Sequence, residues 1–306
     1  MRGKVIKSTG LWCELLTEEG EKIKARLKGI FKQDDLKTTN PIAVGDEVQY
    51  ELTGDGMGTI YDIVLRKNYI IRKSTHKSEH THIIASNIDQ AILIATIDFP
   101  RTSIGFIDRF LVSAESFRIP TVLVINKIDL LIKKKHVEAL AHFKQVYESA
   151  GYKVLLTSVV TGEGIDEFKQ LFKQKTSLVS GHSGVGKSTL VNTINKDLHL
   201  KTGEISTFAN KGKHTTTFAE MFCLEDGVNI IDTPGIKELG INDIADTELG
   251  HYFPEMRALL GQCKFNNCTH THEPDCAVLR AVNEGTIHKA RYESYLGILF
   301  EEDDRR

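Results

Sequence analysis

One octapeptide restricts this chain more than any other feature. Gly181-His182-Ser183-Gly184-Val185-Gly186-Lys187-Ser188 fits the pattern Gly-x4-Gly-Lys-Ser/Thr in full. An apolar run, Ser177–Ser180, precedes it, and a helix-prone run, Lys187–Ile194, follows. The pattern needs that context. A strand delivers the chain, glycines let backbone N–H groups curl around phosphates, and the helix N-terminus adds positive potential. Lys187 then reaches the β- and γ-phosphates, and the Ser188 hydroxyl takes Mg2+. Such an element belongs in a mostly parallel sheet wrapped by helices.

The flanking sequence agrees. From residue 88, apolar strands alternate with amphipathic helices. The predicted strands are Gln90–Thr96, Thr121–Ile125, Lys153–Thr157, Ser177–Ser180, Glu220–Cys223 and Asn229–Ile231. The predicted helices are Ile104–Phe117, Lys135–Ala150, Gly164–Phe172 and Lys187–Ile194. This alternation is that of an α/β domain.

Further motifs sit at strand ends. Asp232-Thr233-Pro234-Gly235 follows the strand NII. A carboxylate there holds Mg2+ through water, while the Gly235 N–H meets a γ-phosphate. Asn126-Lys127-Ile128-Asp129 follows TVLVI. The Asp129 carboxylate accepts from both N1–H and the exocyclic amine of guanine, a donor pair that adenine lacks. Asn126 reads the other side of the base and the Lys127 stem covers its face. Ser158-Val159, ending the next strand, forms a second guanine-contacting loop. Together these favour GTP over ATP.

Lys211-Gly212-Lys213-His214-Thr215-Thr216-Thr217 lies between the phosphate loop and Asp232, the place of a mobile switch. Thr216 is assigned to Mg2+ and the γ-phosphate. Ile236 follows Gly235, where many GTPases carry a glutamine that orients the attacking water. An isoleucine has no hydrogen-bonding group, so His214 is the candidate for that task. The order of these parts is unusual: Asn126–Asp129 precedes Lys187 by about sixty residues. A nucleotide site is assembled in space, so moving the termini leaves its geometry possible. The chain therefore reads as a circularly permuted GTPase.

On either side lie different modules. Residues 1–72 carry short β-prone runs, Lys4–Ser8, Leu11–Thr17, Lys22–Leu27, Glu47–Leu52 and Gly58–Leu65, separated by Gly and Asp turns. They predict a small all-β barrel or sandwich. Residues 73–87 read as a polar connector whose His76, His80 and His82 are solvent-exposed rather than metal ligands. After about residue 243 the sequence is helical. There Cys263-x4-Cys268-x-His270-x5-Cys276 supplies three thiolates and one imidazole, a closed set suited to one structural, tetrahedral Zn2+. His272 competes with His270. Cys13 and Cys223 lie in strand-like runs and read as core residues.

Composition bounds the rest. The 306 residues predict two domains, or three if one is small. With 41% hydrophobic and 26% charged residues the chain is ordinary globular, not disordered or disulfide-stapled. A net charge of −2 argues neither for nor against a nucleic-acid partner. The longest apolar runs are strand-length, far short of the roughly 20 residues that span a bilayer. The segment MRGKVIKSTGLW lacks the apolar core of a secretory signal. Clustered cysteines favour metal ligation in a reducing compartment. The expectation is a cytoplasmic monomer with no membrane partner.

A β-module, a permuted GTPase domain, a GKHTTT switch and a C-x4-C-x-H-x5-C set in this order resemble the ribosome small-subunit-dependent GTPase A family (RsgA/YjeQ). The resemblance covers nearly the whole chain. It matches Asn126, Lys127 and Asp129 to guanine binding. Gly181, His182, Ser183, Gly184, Val185, Gly186, Lys187, Ser188 and Thr189 match the phosphate loop. His214–Thr217 and Asp232–Gly235 match the two switches, and Cys263, Cys268, His270 and Cys276 match the zinc set. It departs at Lys213, where arginine is common. The family implies an N-terminal OB-fold binding small-subunit rRNA (1–72), a permuted GTPase domain (73–243) and a helical zinc-binding domain (244–306). It also implies GTP hydrolysis to GDP stimulated by the small (30S) ribosomal subunit during its late maturation. Two alternatives are an RNA-binding factor with a purely structural nucleotide site, and a GTPase of tRNA or metal handling. An intact Lys187, Ser188 and Asp232 speak against the first, and a four-ligand metal set against the second.

Overall fold

Alternation of inward and outward side chains, interrupted in the first strand where Val5 and Ile6 are both buried, governs the N-terminal strands of the computed structural model, which describes residues 1–9, 12–28, 41–54, 56–73, 81–194, 219–232 and 244–300. The strands are β1 (Arg2–Ser8), β2 (Cys13–Thr17), β3 (Lys22–Leu27), β4 (Glu47–Leu52) and β5 (Gly58–Ile63). β1 pairs with β2, β2 with β3 and β4 with β5, all antiparallel, while β3 and β5 run parallel. The antiparallel β1–β4 pair closes the ring. The barrel alternative is thus the one adopted. Val5, Cys13, Leu15, Ala25, Val48, Tyr50 and Ile60 fill its interior. On β3 the other face carries Lys22, Lys24 and Arg26, all exposed, with Lys28 exposed just beyond.

The residues read as a polar connector are in part a strand. β7 (Thr81–Ser86) pairs antiparallel with β6 (Tyr69–Lys73). The signal was short: the apolar part of β7 is only Ile83–Ala85, of which Ile83 and Ala85 are buried, amid polar neighbours in the sequence that resemble a linker. The hairpin is fastened to the barrel by Asp46, itself fully buried. Its carboxylate accepts from Arg66 Nε and Nη2 (both 2.7 Å), Ser86 Oγ (2.6 Å) and the Ala43 N–H (2.8 Å). Gly45, at φ +96°, makes the tight turn here; a Cβ would stand 2.1 Å from the Ser86 carbonyl oxygen. His76 and His80 lie outside the described residues.

Contacts divide the chain into two compact units. The first comprises Met1–Ile92, Asp166–Ser180 and Lys187–Leu239. Besides the barrel and hairpin it holds α3 (Ile165–Phe172) from Asp166 onward, β11 (Thr176–Ser180), α4 (Lys187–Asn192), β12 (Glu220–Cys223) and β13 (Asn229–Asp232). β11 and β13 run parallel, and β12 joins β13 antiparallel. β12 also reaches β1 through the Lys7–Glu220 register. Cys223 is only half-buried, unlike Cys13.

The second unit comprises Leu93–Ile165, Gly181–Gly186 and Gly240–Arg306. The fully buried β8 (Gln90–Ala95) enters it at Leu93. β9 (Thr121–Asn126) and β10 (Lys153–Thr157) run parallel, flanked in sequence by α1 (Ile104–Ser116) and α2 (Lys134–Ser149). The C-terminal part contributes α5 (Pro254–Arg257), α6 (Ala277–Asn283) and α7 (Lys289–Leu299). Leu249, Phe253, Met256, Val278, Tyr295 and Ile298 form its core and take in Val112 of α1. At the centre Arg291 is completely buried. It donates to Glu255 Oε1 at 2.7 Å and to Asp108 Oδ1, with the Phe253 ring centroid 4.6 Å from its guanidinium carbon. Nothing in the sequence pattern pointed to this centre.

Candidate functional site

The Asn126–Asp129 motif stands where β9 ends. Asn126, the last residue of that strand, is buried, and Lys127 turns the chain at φ +63° into a short 3-10 helix carrying Asp129. Asn126 Nδ2 donates to the Val185 carbonyl at 2.9 Å, and Thr157 Oγ1 donates to Asn126 Oδ1 at 3.2 Å. Lys127 Nζ donates to the carbonyls of Gly184 (2.6 Å) and Phe99 (2.8 Å). The motif therefore carries the loop Gly181–Gly186 on two of its own side chains. Ser158 Oγ donates to Asp129 Oδ1 at 2.6 Å and accepts from the Thr161 N–H at 3.1 Å. Ser158 is fully buried, so this carboxylate is held in place from beneath. Val159 lies half-buried in the turn that follows.

The loop has the shape its glycines allow. A Cβ on Gly186 would meet Asn126 Nδ2 at 2.5 Å, and one on Gly181 would meet the Ile94 carbonyl oxygen at 2.2 Å. Both have positive φ, so only glycine lets the backbone lie this close. Val185 is fully buried, Ser183 and Gly184 are exposed, and the His182 ring packs on Phe106 with centroids 3.9 Å apart. In the first unit, Lys187 and Ser188 open α4 and are buried, and Thr189 is exposed. Asp232 is the last residue of β13. His214, Thr216 and Gly235 lie outside the described residues. Sequence reasoning missed Thr157 and the Phe99 carbonyl. A hydroxyl at a strand end beside Ser158 was a faint sign of the first, and a main-chain oxygen leaves no sign at all.

A second constellation lies in the C-terminal part of the second unit. The ligand atoms of Cys263, Cys268, His270 and Cys276 all fall within 4.8 Å of one another. Cys276 Sγ is 3.4 Å from His270 Nδ1, and Cys263 Sγ is 3.7 Å from it. Three sulfurs and one nitrogen at this spacing form a closed set able to hold a metal. His272 is not part of it: it is exposed, and its Nδ1 pairs with the Thr271 hydroxyl at 2.8 Å. Burial pushes the Cys268 thiol up to about 12, so metal uptake has to release protons.

Glu273, which sequence reasoning passed over, shapes the ligand loop. Its carboxylate accepts from the backbone N–H groups of Thr269 (2.6 Å), Thr271 (2.9 Å) and His272 (3.1 Å). Burial alone would raise it, but the Thr269 hydroxyl, which donates to it at 2.7 Å, and the backbone N–H bonds hold it well below the usual carboxylate range. They fix the turn in which His270 adopts φ +57°. Glu273→Ala is expected to lower metal affinity about 10–100-fold without removing a ligand. Chelator competition on the metal-loaded chain measures this, and unchanged retention would separate Glu273 from the site.

Comparisons with known proteins accord with this geometry. The family model described as RsgA GTPase matches residues 63–242, and that of the RsgA N-terminal domain matches residues 2–60. A Cytophaga hutchinsonii protein named small ribosomal subunit biogenesis GTPase RsgA is 52% identical over 308 residues, covering 100% of both chains. A Flavobacterium johnsoniae protein of the same name is 51% identical over 302 residues, covering 98% of this chain and 93% of its own. Among solved structures, YjeQ from Thermotoga maritima has a TM-score of 0.79 at 37% identity, covering 100% of this chain and 99% of its own. YloQ, titled a circularly permuted GTPase, has a TM-score of 0.75 at 31% identity, covering 100% and 96%.

Proposed function

The chain belongs to the RsgA GTPase family, and we propose that it hydrolyses GTP to GDP and phosphate during late maturation of the small ribosomal subunit, whose rRNA it binds. One observation carries the nucleotide reading: Asn126 and Lys127 hold the Gly181–Gly186 loop although they precede it in sequence. This supports joining the proposed base-reading motif to the Gly181–Gly186 loop within the second unit, whichever comes first in the chain.

In this reading Asn126, Lys127, Asp129, Ser158 and Val159 take the guanine. Gly181–Gly186 with Lys187, Ser188 and Thr189 takes the phosphates. Ser188 and Thr216 hold Mg2+, which when bound neutralises charge on the β- and γ-phosphates. Asp232 holds Mg2+ through water, the Gly235 N–H meets the γ-phosphate, and His214 orients the attacking water. Cys263, Cys268, His270 and Cys276 hold one structural Zn2+; thiolates favour it over Mg2+ or Ca2+, and four protein ligands leave no open position. The working division is 1–72, 73–243 and 244–306, with the barrel as the OB-fold RNA-binding module. No helix among the described residues is long and apolar enough to cross a membrane. A monomer acting in the cytoplasm fits this reading.

The test is GTP turnover with and without purified small subunits, beside sedimentation with them in GTP-analogue, GDP and nucleotide-free states. Subunits are expected to raise turnover, and the GTP-analogue state to sediment most. His214→Ala is expected to cut stimulated turnover by about 10²–10⁴-fold while nucleotide affinity holds. Absence of stimulation would count against the ribosomal role, and unchanged turnover in the variant would discard His214.

A further inference from the structure

Helix α2 buries one polar side chain at its start. His136 lies in the first turn and is 6% exposed, whereas Lys134 and Lys135 beside it are exposed. Its Nδ1 is buried without a partner, which is costly, because a polar atom left unpaired there forfeits its hydration. A leucine would fill the same space without that cost. The other nitrogen, Nε2, stands 3.4 Å from Asp98 Oδ2. The use of a histidine here lies in that contact.

Asp98 begins a chain of contacts that ends on Lys127. Its other oxygen, Oδ1, accepts from the Phe99 N–H at 3.0 Å. The Phe99 ring stands perpendicular to the His136 imidazole, with centroids 5.8 Å apart. Both contacts hold a residue that is itself 49% exposed and sits at φ +66°. A bulky residue keeps that backbone only under restraint from its surroundings. On the far side the Thr96 hydroxyl donates to the Pro100 carbonyl, and the Thr102 N–H donates to the Thr96 carbonyl at 3.0 Å. The Phe99 carbonyl fixed in this way accepts from Lys127 Nζ at 2.8 Å. Lys127 thus has one acceptor on the phosphate loop, at Gly184, and one on a loop that His136 braces. An ammonium on a flexible stem takes its direction from its acceptors.

We infer that His136, acting through Asp98 and Phe99, is a positioning residue that aims the Lys127 stem along the face of the guanine. This rests on the reading that Lys127 covers the base. In this assignment His136 sets how tightly the nucleotide is held. Asp129, held by Ser158, separately sets which base is chosen.

The test measures binding of a fluorescent GDP analogue to the full, metal-loaded chain. His136→Leu keeps the bulk and removes both nitrogens; it is expected to weaken binding about three- to tenfold, the worth of one hydrogen bond. His136→Gln, whose amide can still donate to Asp98, should recover most of that loss. The melting temperature of His136→Leu should not fall, because the unpaired Nδ1 is gone. Its preference for GTP over inosine triphosphate should match the wild type, because Asp129 alone is assigned to the amine that inosine lacks. In a Lys127→Ala background, His136→Leu should add nothing. Undiminished binding in His136→Leu overturns the inference, and so does a changed base preference or a loss that persists in full without Lys127. A lowered melting temperature, or glutamine binding no better than leucine, assigns the effect to packing and overturns it too. If Lys127→Ala binds the analogue as well as the wild type, the guanine reading of Lys127 is refuted, and the inference falls with it.

Discussion

Asp129→Asn is expected to lower GTP affinity by about 10²–10⁴-fold and to confer binding of xanthosine triphosphate. Two hydrogen bonds to one ionised carboxylate, worth about 1.5–3 kcal/mol each, account for a loss of that size. The change of specificity follows from what holds the residue. Ser158 Oγ donates to Asp129 Oδ1 at 2.6 Å. An asparagine can keep that bond only by turning its carbonyl oxygen toward Ser158. Its amide N–H groups then face the base, where guanine also presents donors. Xanthine carries a carbonyl at that corner and accepts from them. Competition of the two nucleotides against a fluorescent analogue measures the shift, with circular dichroism to check the fold. Undiminished GTP binding would mean that Asp129 does not read the base.

Arg291→Met is expected to destabilise the second unit by about 3–5 kcal/mol, although it removes no residue from either site. The guanidinium is wholly buried against Asp108 and Glu255. Burial pushes the Asp108 carboxyl up, and Arg291 is the largest influence holding it down. Without the cation, Asp108 has to stay charged in an apolar surround or take a proton. The pH dependence has a definite sign. A carboxyl whose folded pKa is raised binds its proton more tightly in the native state, so stability falls as pH climbs above the ordinary value near 3.8. The variant's deficit should therefore be greatest at neutral pH and shrink toward pH 4. Adding Asp108→Asn should recover part of it, since the stranded charge is gone. Denaturant unfolding at several pH values measures all three effects. A deficit independent of pH would assign it to lost packing around Phe253 instead.

These two cases also mark how far the sequence could be read. The phosphate loop, Asn126–Asp129 and the Cys–His set were legible because each lies within one short stretch. Covalent adjacency fixes their relative positions, and glycine or a ligating side chain leaves a recognisable mark. The barrel was legible through its period of two, but the choice of barrel over sandwich waited on the β1–β4 pairing. The β6–β7 hairpin was not legible, because its apolar stretch on β7 is only Ile83–Ala85 among polar residues. Arg291 was not either. An arginine on a helix reads as surface, and its partners stand 183 and 36 residues away.

By itself, then, the sequence carried the chemical proposals: which residues are assigned to phosphate, which to guanine and which to a metal, and that the motifs stand in a permuted order. The tertiary structure decided what joins them. It set Asn126 against Val185 across 59 residues and Ser158 beneath Asp129 across 29. It also buried one ion pair at the centre of the second unit and brought His136 against Asp98. The reason is physical. Local chemistry depends on neighbours along the chain, whereas desolvation and long-range pairing depend on the path of the whole backbone, which no single segment encodes.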